Sequence, residues 1–123
     1  MNVRSLYFFD GNSPVNKKRA IAICEDIINN GWPLKWACCS HVKMMNHELL
    51  EAMSASGCVS IDFGIESGSN GILRNINKRQ THKEIERAFD LVPGAGILPR
   101  AYLLVGCLGE DESAIDETIQ TVA

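Results

Sequence analysis

Apolar positions along the chain follow two alternating rhythms. Four short runs are almost continuously apolar: Leu6–Phe9, Leu34–Cys39, Val59–Ile65 and Pro99–Val105. Runs of this length, apolar at successive positions and bounded by Gly, Asn, Asp or Ser, predict strands covered on both faces. Between them apolar residues recur at helical spacing. Asn16 to Asn30 predicts a helix with Ala20, Cys24, Ile27 and Ile28 on one face, widened by Ile21 and Ile23 and ended by Asn30-Gly31. Asn46 caps a helix running to about Ser56, with Leu49, Leu50 and Met53 inward and Gly57 as its stop. A short helix spans roughly 71–76. Thr81-His82-Lys83-Glu84 has the form of a capping box and opens a helix with Ile85, Ala88, Phe89 and Val92 inward, broken by Pro93-Gly94. A last helix starts near 111–113 and is expected to bury Ile115, Ile119 and Val122.

The resulting order, β-α-β-α-β-α-α-β-α, predicts an α/β fold of parallel β/α units with right-handed crossovers. Four strands in sequential units fit a doubly wound sheet or about half of a (β/α) TIM-like barrel. With 123 residues the chain makes one domain, and 46% hydrophobic and 22% charged residues are ordinary for a water-soluble one. A formal net charge of -3 argues against nucleic acid as a partner, because phosphate-backbone binding needs a basic surface. Lys17-Lys18-Arg19 reads as a solvated helix face. No apolar run approaches the roughly 20 residues of a membrane span. The N-terminus has no basic segment followed by an apolar one, so no signal peptide is expected and the expected compartment is cytoplasmic. The five cysteines include no C-x-x-C pair. Cys24 and Cys58 read as small buried hydrophobes, and Cys38 and Cys39 point to opposite faces of a strand. No complete metal site is expected among them.

Candidate chemistry concentrates at two strand–turn–helix joints. Cys58 to Ser69 is an apolar strand ending in Glu66, followed by the small-residue turn Ser67-Gly68-Ser69. Ligands of parallel α/β proteins bind at the C-terminal ends of strands. A carboxylate there can accept hydrogen bonds from a vicinal diol such as a ribose, and glycine lets the backbone approach a ligand. The alternative is a plain joint with serine caps. Ala101 to Glu110 repeats the arrangement, with Gly106 and Gly109 in the turn. Neither glycine turn matches a P-loop or a dinucleotide fingerprint.

Taken in order, Phe9-Asp-Gly-Asn12, Asn16-Lys-Lys-Arg19, Lys35-Trp-Ala-Cys38, Phe63-Gly-Ile-Glu-Ser-Gly-Ser69 and Gly106-Cys-Leu-Gly-Glu110 resemble the core of radical S-adenosylmethionine (radical SAM) enzymes. The branch most similar in look often carries a cobalamin-binding domain. The resemblance implies a partial (β/α) barrel whose parent enzyme cleaves S-adenosylmethionine reductively at a 4Fe-4S cluster to give a 5′-deoxyadenosyl radical. It covers 1–123 as strands two to five of that core. The family's C-x-x-x-C-x-x-C cluster loop is not in the chain. The resemblance therefore implies a cofactor pocket without cluster ligands: no catalytic and no metal residue, and a chain inactive by itself. Cobalamin is a possible cofactor of the parent. Carried over position by position, Asp10 and Asn12 meet the methionine amino group, Ser40 and His41 face cofactor or substrate, and Glu66 reaches the ribose. Ser67 supports Glu66 or caps the helix, Val105 and Gly106 lie near adenine, and Glu110 is structural or at the pocket's edge. Expected partners are the small-molecule cofactor and whatever covers the sheet edges, either the remainder of the barrel or another chain. The alternative function is a non-catalytic β/α binding or interaction domain. Departures from the family pattern are His41 in place of an arginine and Cys107-Leu108 before Gly109-Glu110.

Overall fold

The structure, a computed structural model, describes residues 3–9 and 16–122. Strand β1 is Ser5–Phe8, β2 Lys35–Ser40, β3 Cys58–Glu66 and β4 Leu98–Leu103. Helices are α1 Lys17–Asn29, α2 His47–Ala55, α3 Asn70–Asn75, α4 His82–Gly94 and α5 Glu112–Val122, with a 3-10 turn at Val42–Met44. The strands form one sheet in the order β1-β2-β3-β4, and every neighbouring pair is parallel. All four strand C-termini therefore share one rim, as sequential β/α units require.

The central strand shows why the sheet has two unlike faces. Successive side chains alternate across a strand. In β3, Ile61, Phe63 and Ile65 are fully buried and join Trp36 and Cys38 of β2 in the core. The helices complete that core with Cys24 and Ile27 of α1, Leu49, Leu50 and Met53 of α2, and Ile85, Ala88 and Val92 of α4. The intervening residues Ser60, Asp62, Gly64 and Glu66 stand on the opposite face with Tyr7, Cys39, Arg100 and Tyr102. That face is open: Tyr7 and Tyr102 are each about half exposed.

Most helix ends follow the expected chemistry. Asn16 accepts from Lys18 N–H, Asn46 from Leu49 N–H, and Thr81 and Glu84 form the reciprocal capping box. Gly57, at φ 94, ends the turn after α2; a Cβ there would collide with the Leu34 carbonyl. Three expectations are corrected. Ile115, Ile119 and Val122 of α5 are exposed, not buried. The helix docks instead through Ala114 and the hydroxyls of Thr118 and Thr121, so its apolar stripe faces away from the sheet. Ile28 is also exposed, because the buried stripe of α1 is confined to Cys24 and Ile27. Finally, α4 continues through Pro93 to Gly94. A proline in the last turn deletes only one helical bond, and the chain turns out at Gly96, φ 74.

Candidate functional site at the sheet rim

Glu66, the last residue of β3, has φ 63, a left-handed conformation that is unusual for a side chain with a Cβ. Three contacts impose it. Ser67 N–H closes onto the Ile65 carbonyl at 2.7 Å, making a three-residue turn about Glu66. Leu104 N–H donates to the Glu66 carbonyl at 2.9 Å. The pairing with β4 slips between Gly64 and Glu66. Such a conformation costs about 1–3 kcal/mol and persists only where the surroundings over-determine it.

The side chain is held as firmly as the backbone. Lys78 Nζ donates to Glu66 Oε1 at 2.8 Å, and both side chains are largely shielded. Gly64 makes this possible: a Cβ there would stand 2.8 Å from Glu66 Oε1 and 3.1 Å from Lys78 Nζ. The ion pair thus lies across the space that a side chain at 64 would fill. Behind it, Gln80 Nε2 donates to the carbonyls of Gly64 and Ile65 at 3.1 and 3.0 Å. The buried Oε1 of Gln80 has no partner among the described residues.

The other expected site residues divide by place. Val105 and Gly106 lie just past β4, whose strand stops at Leu103, so Val105 is exposed. Gly106, at φ 87, donates its N–H to Glu110 Oε2 at 2.6 Å, which gives Glu110 the part of a turn clamp. Ser67 is turned inward: its hydroxyl meets Thr118 Oγ1 at 3.0 Å and accepts from Ser69 N–H at 3.1 Å. It fastens the turn to α5 and does not face the open side. Ser40 lies on the helix-covered side, lining a small apolar cavity with Phe8, Trp36 and Leu49. His41 caps the 3-10 turn through Lys43 N–H to its Nδ1 at 3.3 Å. Burial, then the nearby Lys78 and Lys43, push its imidazole below the ordinary range. Asp10 and Asn12 lie outside the described residues.

A second group of polar residues on the open face was missed by sequence reasoning. Asp62, in register with Cys39 on β2 and Arg100 on β4, has a buried carboxylate. Arg100 Nε donates to Oδ1 at 2.6 Å, and the hydroxyls of Tyr7 and Tyr102 donate to Oδ2 at 2.7 and 2.9 Å. Tyr7 Oη also meets Cys39 Sγ at 3.1 Å. Burial pushes the Asp62 carboxyl up, but hydrogen bonds from Tyr7, Arg100 and Tyr102 outweigh it and hold it below its usual value. The same contacts push both phenols up, Tyr7 through Cys39 and Asp62, and Tyr102 through Asp62. The signal in the sequence was a lone carboxylate at an alternating position of an otherwise apolar strand.

The family profile "Radical SAM superfamily" matches residues 1–122. An uncharacterized methyltransferase of Pyrococcus horikoshii is 30% identical over 118 residues, covering 96% of this chain and 26% of that protein. The radical S-adenosylmethionine methyltransferase TsrM from Kitasatospora setae, solved with cobalamin and a [4Fe-4S] cluster, superposes with a TM-score of 0.84 at 16% identity, covering 96% of this chain and 25% of that one. The cobalamin-dependent S-adenosylmethionine radical enzyme OxsB superposes at 0.79 with 20% identity, over 97% and 19%. The chain thus spans about a quarter or less of each of these three proteins.

Proposed function

The chain belongs to the radical SAM superfamily, and on that premise we propose that it contributes part of the S-adenosylmethionine pocket to a radical SAM enzyme core. The parent would cleave S-adenosylmethionine at a 4Fe-4S cluster, with cobalamin a possible further cofactor. The residues of this chain do not fit the cluster. Cys24, Cys38 and Cys58 are buried on separate elements or in the core, and no three metal-ligating side chains gather among the described residues. No step through the cluster is therefore assigned to this chain.

The observation that carries the reading is the left-handed Glu66 at the C-terminal end of the central strand. The strained turn, the room left by Gly64 and the grip of Lys78 hold one carboxylate at the rim of the open face. In the proposed pocket Glu66 accepts hydrogen bonds from the ribose hydroxyls, while the exposed Val105 and the Gly106 backbone flank the adenine. Asp10 and Asn12 are assigned to the methionine amino group by the family resemblance alone. Ser67 acts through the turn it pins to α5. The rest of the barrel, or another chain, covers the sheet edges and supplies the cluster.

Without that anchor, one or two charge-assisted hydrogen bonds of about 1.5–3 kcal/mol each face an association cost of at least about 4 kcal/mol. At most about 2 kcal/mol is left, so affinity for S-adenosylmethionine or 5′-deoxyadenosine is then tens of millimolar at best. An NMR titration tests it. Shifts centred on Glu66, Ser67 and Gly106, lost in Glu66→Ala, support the pocket. Shifts elsewhere, or none in a folded sample, overturn it in favour of a β/α domain without this cofactor.

A further inference from the structure

We propose that Arg100 is the anchor for a carboxylate group of a ligand lying against the open face of the sheet. The inference rests on the reading that this face lines a ligand chamber.

Arg100 is bound to Asp62 in an unusual way. A guanidinium beside a carboxylate commonly makes two parallel bonds. Here only Nε donates, to Oδ1 at 2.6 Å, because the hydroxyls of Tyr7 and Tyr102 both occupy Oδ2. Among the described residues, the two terminal nitrogens of Arg100 have no hydrogen-bond partner, and the side chain is 52% exposed. The Asp62 carboxylate is 1% exposed. The buried charge is thus satisfied by three donors, while the outer fork of the guanidinium is left free and fixed in direction by its inner nitrogen. Pre-fixing a donor fork lowers the ordering cost of binding.

The surroundings select the ligand. The two terminal nitrogens match a planar carboxylate. Tyr7 and Tyr102, both half exposed, stand on the same face and offer ring surface to the apolar part of such a molecule. A doubly charged phosphate suits the place less well, since Asp62 already opposes the single cation. The position also fits the rim. Asp62 and Arg100 pair directly, and Glu66 lies four residues further along β3, about 13 Å at some 3.3 Å per residue. A carboxylate held at Arg100 would leave the rest of its molecule pointing along the open face toward Glu66.

The test uses benzoate as probe and benzamide as its uncharged counterpart, with the Arg100 Nε–H signal and the Tyr102 ring signals followed by NMR. Benzoate should shift both, and benzamide neither. Arg100→Gln should weaken benzoate binding at least tenfold. Arg100→Lys, which keeps a cation beside Asp62 and guards against loss of fold, should weaken it severalfold because the fork is gone. Equal binding of benzoate to wild type and Arg100→Gln, or equal binding of benzamide, would overturn the inference, as would an unresponsive Arg100. S-adenosylmethionine titrated into the same samples reports separately at Glu66 and Gly106. Shifts there without a benzoate response would sink the Arg100 anchor alone, and the reverse would sink the cofactor pocket alone.

Discussion

Replacing Asp62 by Asn should release Tyr102 and loosen Tyr7, which keeps its contact with Cys39. Tyr7 and Tyr102 are the chain's only two tyrosines, and both donate to Asp62 Oδ2, at 2.7 and 2.9 Å. Ionising either phenol in the native state places an anion against a carboxylate and deletes a hydrogen bond, so both titrate above the ordinary value of about 10. The sign for stability follows. A group whose folded pKa is raised contributes fully below its unfolded pKa and loses that contribution as pH rises through the folded one. The phenols therefore contribute fully up to about pH 10 and lose that contribution progressively as pH rises from there through their raised folded values. Tyrosinate absorbance at 295 nm, read within milliseconds of a pH jump and so ahead of alkaline unfolding, should show little ionisation at pH 10.5 in the wild type. In Asp62→Asn the Tyr102 part should approach that of free tyrosine, while Tyr7, still bonded to Cys39, should be released only in part. The substitution removes the charge of a buried acceptor whose hydrogen bonds are each of the order of 1.5–3 kcal/mol gross. The donors sit on exposed side chains that can turn to water, so a net loss of about 2 kcal/mol in urea unfolding is expected. Ordinary titration of both tyrosines in the wild type would refute the network.

The same carboxylate sets an acid limit. Its folded pKa lies below the usual value of 3.8, so its contribution is complete above about pH 5 and lost as pH falls through the lowered pKa; the slope of stability between pH 5 and 2 should flatten in Asp62→Asn. Gly68→Ala puts a methyl against Thr121 Oγ1 and 2.6 Å from the Glu117 carbonyl, which should lift α5 from the turn and raise amide exchange across Glu112–Val122 while leaving α1 and α2 protected. Thr81→Ala deletes half of the capping box and should cost about 1 kcal/mol in urea unfolding, with no change at the Glu66 amide. Glu66→Gly should relieve the left-handed strain, giving no loss or a gain of up to about 1 kcal/mol in stability, while removing any S-adenosylmethionine response; a large destabilisation would show that the Lys78 pair outweighs the strain.

The β/α order, the four strands, the helix caps at Asn46 and Thr81 and the buried faces of α2 and α4 were all legible, because they depend on local spacing and local hydrogen bonds. So was the place of Glu66 at the C-terminal end of β3. What local spacing could not tell was long-range. The stripe of Ile115, Ile119 and Val122 has the period of a buried face, and nothing in α5 itself tells that two threonines would dock it instead. Ser40 and Ser67 sit at strand ends, as a site residue would. Which side each takes depends on the pleat and on Thr118, 51 residues away from Ser67. Asp62 stayed hidden for the same reason: its partners come from Tyr7, 55 residues before it, and from Arg100 and Tyr102, 38 and 40 after it.

Asp62 also guards the assembly of the sheet against error. Parallel strands of similar apolar content can pair out of step, and a slip of one residue turns every side chain to the opposite face. For β3 such a slip would drive Asp62 among Leu49, Leu50 and Val92 and push Phe63 into water. It would also part the carboxylate from donors on β1 and β4 together. An uncompensated buried carboxylate is among the costliest arrangements a chain can adopt. A misaligned sheet would therefore open again before its helices could close over it. One charge in the middle strand thus serves as a proofreading key for the alignment of the strands on either side.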